Sequence, residues 1–375
     1  MIWVMKKFST MIDCPHLKCD ACTCLENPLS PNEYKDLITW LQKDIPLISE
    51  RFTGSRWKAK LGIRKEGAEI KIGLFARGSH NIVDISSCPL HHSSINELIL
   101  EIKKLLKMYS VSVYSDKTKR GELKYLQIFI QRDTGKGQIV FVVNQEILSK
   151  EFFSFLKELK KHPLIHSICI NINQEKGNAI FGKNWQQVFG PSFLKQKINE
   201  LDFYFHPASF SQAHLILFEK LVQQIQKEIS PKQKVVEFFA GIGAIGLNLL
   251  RDADIVMIEN NPYSKISYDE TIKHISNSNH RYLCLDATKA IDLIDDSNVV
   301  IIDPPRKGMG DLMVEKLCQS NNKKLIYVSC NLKSFKKEAE ILMQNGWNME
   351  KIESYLFFPG TDRIELFGIF VKGSG

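Results

Sequence analysis

The sequence predicts an α/β protein, with a doubly wound, Rossmann-like sheet in its C-terminal half and a smaller α+β region before it. Three observations predict this. Beyond about Leu201, continuous apolar runs at residues 235–239, 255–259, 299–303 and 324–328 alternate with helical segments, as strands of a parallel sheet covered on both faces do. A glycine loop, Gly241-Ile242-Gly243-Ala244-Ile245-Gly246, lies between the first of these strands and a helix carrying Leu247, Leu249 and Leu250. In that context glycines let the backbone approach a nucleotide closely. Between Arg51 and about Gly190, strands and helices are mixed instead, as in an α+β domain.

Taken in order, residues 1–30 contain Cys14, Cys19, Cys22 and Cys24 with Pro15 and Pro28, and show no usable period. This reads as a loop that needs an external staple, which a metal could supply. A helix is expected over 32–43, capped by Ser30 or Asn32, with Leu37, Ile38 and Leu41 at helical spacing. Strands follow at 57–64, 69–76, 123–131 and 138–144, and helices at 95–110 and 145–161, with turns at Gly73, Gly78, Gly135 and Gly137. After the four apolar strands and a further strand at 282–285, segments 354–358 and 364–371 form a hairpin at the sheet edge. The expected division is 1–50, 51–200 and 201–375.

With 375 residues, 44% hydrophobic and 25% charged, the composition is that of a globular chain with room for two cores. No apolar stretch reaches the roughly 18 residues of a membrane span, and the first residues are too brief for a signal-peptide core, so a cytoplasmic protein is expected. A net charge of +8 favours a polyanionic partner. Nine cysteines, an odd number, argue against a disulfide framework.

The chemistry concentrates at strand ends. Glu259 ends the strand after the glycine loop, where a carboxylate can accept bonds from ribose hydroxyls. Nicotinamide and S-adenosylmethionine sites share that geometry, but Asp303-Pro304-Pro305 at the next strand tip resembles the methyltransferase motif that frames a reacting methyl group and its target base. Cys330, in Ser329-Cys330-Asn331, ends the strand after that. A thiolate there suits addition to carbon 6 of a pyrimidine, which makes carbon 5 nucleophilic.

These residues resemble the uracil-5 RNA methyltransferases, which include TrmA-like tRNA enzymes and RlmC- and RlmD-like rRNA enzymes. The resemblance runs through His206-Pro207-Ala208-Ser209-Phe210-Ser211-Gln212, the glycine loop, residues 303–308, residues 329–331 and Phe358-Pro359-Gly360-Thr361-Asp362-Arg363-Ile364-Glu365. It implies a Rossmann-like S-adenosylmethionine-dependent methyltransferase domain with an N-terminal α+β RNA-binding and iron-sulfur domain, and no N-terminal β-barrel. It makes Cys330 the nucleophile and Glu365 the base that removes the carbon-5 proton. S-adenosylmethionine contacts fall on Gln212, Phe239, Gly241, Gly243, Glu259 and Asp303, with Asp286 as an adenine contact or a helix cap.

The resemblance also makes Cys14, Cys19, Cys22 and Cys88 ligands of a 4Fe-4S cluster, with zinc as the physical alternative and Cys24 as a competing thiol. The segments Arg56-Trp57-Lys58-Ala59-Lys60 and Lys119-Arg120-Gly121-Glu122-Leu123-Lys124-Tyr125 look especially like the RlmC-like group, which implies uridine 747 of 23S rRNA as substrate. Basic and aromatic residues there suit phosphates and unpaired bases. No obligate protein partner is evident. The alternatives are a tRNA uracil-5 methyltransferase, or an RNA-binding ribosome-assembly factor with incidental methyl transfer. An exocyclic-amine methyltransferase is a further reading, which leaves Cys330 without a role. The chain departs from the family pattern at Arg363, where relatives usually have histidine, at Ala208 and Ser211, and at Glu237, where aspartate is usual.

Overall fold

The computed structural model describes residues 11–16, 19–175, 179–250, 253–276 and 279–373. The chain forms two compact units, the first of residues 1–26 and 51–196 and the second of residues 27–50 and 197–375. The break expected near residue 50 is therefore a double crossing, and residues 27–50 belong with the C-terminal unit.

Two elements account for that. Helix α1 (Asn32–Leu41) starts at Pro31, whose carbonyl accepts from Lys35 while no side chain caps the helix, so neither Ser30 nor Asn32 is the cap. Its Leu37 is fully buried among core residues of the second unit, and Trp40 sets its ring edge-on to Phe335 at 6.3 Å. Burying one leucine is worth about 2 kcal/mol. Strand β1 (Leu47–Ile48) then pairs in parallel with a C-terminal strand, Leu47 opposite Ser354.

In the first unit, β2 (Lys58–Glu66), β3 (Glu69–Phe75) and β4 (Ile82–Asp84) lead into α2 (Ser93–Met108). They are followed by β5 (Leu123–Ile130), β6 (Gly137–Val143), α3 (Lys150–Leu159), β7 (Ile165–Ile172) and β8 (Asn184–Phe189). The strands form one sheet in the order β4-β3-β2-β5-β6-β7-β8, with only β6 and β7 parallel. The amphipathic α2 buries Ile95, Leu98, Ile99, Ile102, Leu105 and Leu106. Phe152 and Phe155 of α3 meet Phe141 of β6 with rings 5.8 and 5.3 Å apart.

The chain passes to the second unit within the hairpin β9 (Leu194–Ile198) and β10 (Leu201–Phe205). Next come α4 (Leu215–Lys227), β11 (Gln233–Phe238), α5 (Ala244–Asn248), β12 (Ala253–Glu259), α6 (Pro262–Ile272) and β13 (His280–Cys284). Last are β14 (Val299–Ile302), α7 (Asp311–Gln319), β15 (Lys324–Ser329), α8 (Leu332–Gln344), β16 (Trp347–Tyr355) and β17 (Glu365–Lys372).

Their sheet runs β1-β16-β17-β15-β14-β11-β12-β13, parallel from β15 to β13. Strand order reverses beside β11, which places a ligand crevice outside the carboxyl ends of β11 and β14. The C-terminal hairpin is not the sheet edge, because β17 inserts antiparallel beside β15 and β1 lies outside β16. The helix after the glycine loop is only five residues long, so Leu249 and Leu250 lie beyond its end.

Candidate active site

The glycine loop is built by three unusual backbone positions and two carboxylates. Phe239, Gly241 and Gly243 all have positive φ, at 61°, 56° and 80°. Glycine adopts this region freely, but Phe239 is strained by about 1 kcal/mol. The carboxylate of Glu259, at the end of β12, accepts from the Gly241 and Asn261 backbone N–H groups at 3.0 and 2.8 Å. Glu237, at the end of β11, accepts from Gly246 N–H at 2.9 Å. A Cβ on Gly246 would lie 2.5 Å from Glu237 Oε2, so that glycine lets the loop close onto the strand.

The loop forms one wall of a cleft of about 480 Å³ that Gln212, Phe239, Gly241 and Asp303 all line. Gln212 reaches it from a segment anchored on α6. There the His206 ring stacks on Tyr263 at 5.0 Å, and Ser209 Oγ donates to the Tyr263 carbonyl at 2.9 Å. Larger hollows of about 1150 and 1190 Å³ lie elsewhere in this unit, but neither gathers the carboxyl ends of the strands. Asp286 is exposed, lies outside the cleft and accepts from Thr288 N–H at 2.9 Å as the cap of a short 3-10 turn.

The cleft is acidic in a way that identifies what it can hold. Burial, with repulsion from Asp303 and Glu259, holds the Glu237 carboxyl well above the usual carboxylate range. Burial and Glu259 push Asp303 up to about 7. Mutually repelling carboxyls favour a cation over an anionic diphosphate. S-adenosylmethionine has a sulfonium and an ammonium, so it fits this donor set.

Strand register then brings the chemical groups together. In β15 and β17, Ser329 lies opposite Leu366, which brings Cys330 alongside Glu365; Ile302 lies opposite Tyr327, with Asp303 just beyond. Glu365 is 1% exposed, and its Oε1 has no hydrogen-bond partner among the described residues. Burial and Asp303 hold its carboxyl well above the usual carboxylate range, Glu33 adds to this, and Arg306 opposes it. Burial pushes the Cys330 thiol up to about 11, with Glu365 and Asp303 adding to the effect and Arg306 opposing it. Directly after Cys330, Asn331 caps α8 by accepting from Lys333 and Ser334 N–H at 3.0 and 3.3 Å. That positive helix end favours a thiolate nearby.

Two residues here were given no role by the sequence. Glu33 of α1 accepts from Arg363 Nη1 at 2.5 Å and from Ile364 N–H at 3.1 Å, so it grips the loop that carries Glu365. These partners lie 330 residues apart or more, beyond any local pattern. Arg306 was visible only as the residue after the two prolines. Arg363 bonds to Glu33 and supplies no imidazole.

In the first unit, Cys14, Cys19, Cys22 and Cys88 line a single cavity of about 450 Å³, and Cys24 does not. Burial pushes Cys22 up to about 11; Arg56 opposes this, and Cys88, Cys19 and Cys14 add to it. Among the described residues, no group of three histidine, cysteine or acidic side chains is arranged to hold a single metal ion. No described helix is long and apolar enough to cross a membrane.

A doubly wound sheet with an acidic cleft at its switch point is the architecture of the S-adenosylmethionine-dependent methyltransferases, the class to which this fold points. The particular family follows from comparison. Residues 254–373 match the family model described as tRNA (Uracil-5-)-methyltransferase. A protein of Protochlamydia amoebophila, named as an uncharacterized RNA methyltransferase, is 34% identical over 96% of this chain and 98% of its own. One of Listeria innocua with the same kind of name is 26% identical over 83% of this chain and 70% of its own. The Pyrococcus abyssi tRNA (uracil-54, C5)-methyltransferase, solved with S-adenosyl-L-homocysteine, has the same fold. It superposes with a TM-score of 0.77 at 22% identity, covering 90% of this chain and 82% of its own. The chain belongs to a family of RNA methyltransferases.

Proposed function

We propose that this enzyme methylates carbon 5 of a loop uridine in 23S rRNA, at the position numbered 747, with Cys330 as nucleophile and Glu365 as base. The observation that carries the chemistry is the pairing of β15 with β17, which sets the thiol beside a buried carboxyl whose Oε1 has no partner among the described residues. The Cys330 thiolate adds to carbon 6, and the electron pair of the 5,6 double bond moves towards oxygen 4, making carbon 5 nucleophilic. S-adenosylmethionine, held by Gln212, Phe239, Gly241, Gly243, Glu259 and Asp303, supplies the electrophilic methyl group when bound.

After carbon 5 is methylated, Glu365 takes its proton, the 5,6 double bond re-forms and the thiolate leaves. Arg306 favours the charged forms of both Cys330 and Glu365, so it supports the ionised states that the two steps require. Extruding the uridine from its stack exposes carbons 5 and 6 to the thiol.

The rRNA assignment is supported by residues 56–60 and 119–125, and by the four cysteines. In this reading Cys14, Cys19, Cys22 and Cys88 hold a 4Fe-4S cluster. Four thiolates are its ordinary ligation, and these four line one cavity. Zinc would require a tetrahedral set around one ion.

A tRNA substrate is the second reading, favoured by the description of the matching family and by the substrate of the Pyrococcus enzyme. Labelled S-adenosylmethionine offered together with a 23S rRNA fragment containing the 747 loop and with total tRNA decides between them. Label in the fragment, lost when its uridine 747 is replaced by cytidine, is expected. Label in tRNA alone would overturn the rRNA assignment.

A further inference from the structure

The first unit contains a hollow of about 1030 Å³ that the reaction does not use, with aromatic rings and a buried arginine in its wall and cations at its rim. Arg64 of β2 is the centre of it. Its guanidinium carbon lies 5.2 Å from the Phe75 ring, 5.3 Å from Tyr114 and 5.5 Å from Tyr125. It is held in place by Asp116, which accepts from Nε at 2.6 Å, and by the Ile63 and Lys124 carbonyls at 2.7 and 2.9 Å. Phe75 is 37% exposed and stands edge-on to Tyr125 at 6.3 Å. A Cβ on Gly62 would lie 3.1 Å from the Phe75 ring, so the glycine leaves that ring space to lie flat on the sheet.

The rim is equally well defined. Lys117, Thr118, Lys119 and Arg120 are consecutive exposed residues. Ser115 N–H donates to the Arg120 carbonyl and Lys119 N–H to the Ser115 carbonyl, both at 2.8 Å. Gly121, at φ 106°, is packed so that a Cβ would lie 2.2 Å from the Val113 carbonyl oxygen. From this fixed turn Lys119 lines the hollow, with Lys117 and Arg120 exposed beside it in the chain, and His80, its side chain 80% exposed, also lines it.

We infer that this hollow takes an unpaired nucleotide of the substrate RNA other than the target uridine, with the base on Phe75 and Tyr125 and the phosphates on Lys119 and Arg120. A base offers a flat face to the rings and polar edges to Arg64 and Asp116, while backbone charge meets the rim. Rings beside cations are how proteins hold single-stranded RNA. An acidic peptide would satisfy the rim but leave the rings without a flat partner, so it is the outcome to be excluded.

The inference rests on the RNA methyltransferase reading, and the test separates the two. With the full-length enzyme and the RNA it methylates, Phe75→Ala and Lys119→Glu should each raise the RNA Kd and KM about five-fold or more. The kcat at saturating RNA and the KM for S-adenosylmethionine should not change, and Phe75→Tyr should restore binding. Ultraviolet cross-linking should join Phe75 or Tyr125 to one defined non-target nucleotide. Wild-type affinity in both Phe75→Ala and Lys119→Glu, or cross-links absent from this hollow, would overturn the inference while leaving methylation intact. A wild-type protein that methylates no RNA would overturn the reading beneath it.

Discussion

Replacing Asp303 by asparagine should make the cofactor-free protein harder to unfold at pH 8 while removing a contact to S-adenosylmethionine. Asp303 is pushed up from 3.8 to about 7 by burial and by Glu259. Its proton therefore stabilises the fold fully below pH 3.8, and that stability is lost as pH rises through 7. At pH 5 the folded group is protonated; at pH 8 it is ionised beside Glu259 and Glu237. Each tenfold change in proton affinity is worth about 1.4 kcal/mol. Because cleft water partly screens Asp303, wild type should lose about 2 kcal/mol from this group between pH 5 and 8.

The asparagine variant has no proton to lose. The gap between variant and wild type should therefore widen by about 4 to 8 °C in Tm over that interval. Thermal unfolding at the two pH values measures it, read on the transition that S-adenosylmethionine raises in wild type. S-adenosylmethionine affinity should fall at least ten-fold in the variant. An equal gap at pH 5 and pH 8 would refute the claim that this cleft is built around excess negative charge.

Three further outcomes follow from the same geometry. Glu33→Ala frees Arg363 and the Ile364 N–H, so kcat should fall about ten-fold as the loop bearing Glu365 loosens, at a cost of about 1 to 2 kcal/mol in stability. Steady-state kinetics should show an unchanged KM for S-adenosylmethionine and partial rescue by Glu33→Gln. Gly246→Ala puts a methyl 2.5 Å from Glu237 Oε2 and 2.8 Å from Met257 Sδ. Such overpacking costs about 1 to 3 kcal/mol, and calorimetry should also find weaker S-adenosylmethionine binding. Anaerobic protein should contain about four iron and four sulfide per chain, a content that Cys88→Ser lowers and Cys24→Ser leaves intact.

The C-terminal sheet was legible because four of its parallel strands are continuous apolar runs, and their ends hold Phe239, Glu259, Asp303 and Cys330. Long-range placement was not legible. Nothing local tells that α1 crosses back to pack Leu37 in the second unit, or that Glu33 would meet Arg363. The edge position of the hairpin was misread because two-residue β1 carries too little pattern to announce itself as a strand. The short α5 was overextended because Leu247, Leu249 and Leu250 look helical whether or not the helix continues. Asp286 shows the limit for single residues, since a carboxylate two positions before a threonine serves equally as cap and as ligand. In the structure it caps.

The central claim is that Cys330 bonds covalently to the pyrimidine, and the most direct measurement uses substrate RNA carrying 5-fluorouridine at the target position. Fluorine cannot be removed as a proton by Glu365, so the methylated adduct should persist as a protein–RNA band under denaturing electrophoresis. Mass spectrometry should map it to Cys330. Cys330→Ala should give no band while still binding S-adenosylmethionine. A persistent band in Cys330→Ala, or full methylation of ordinary RNA by that variant, would contradict the account.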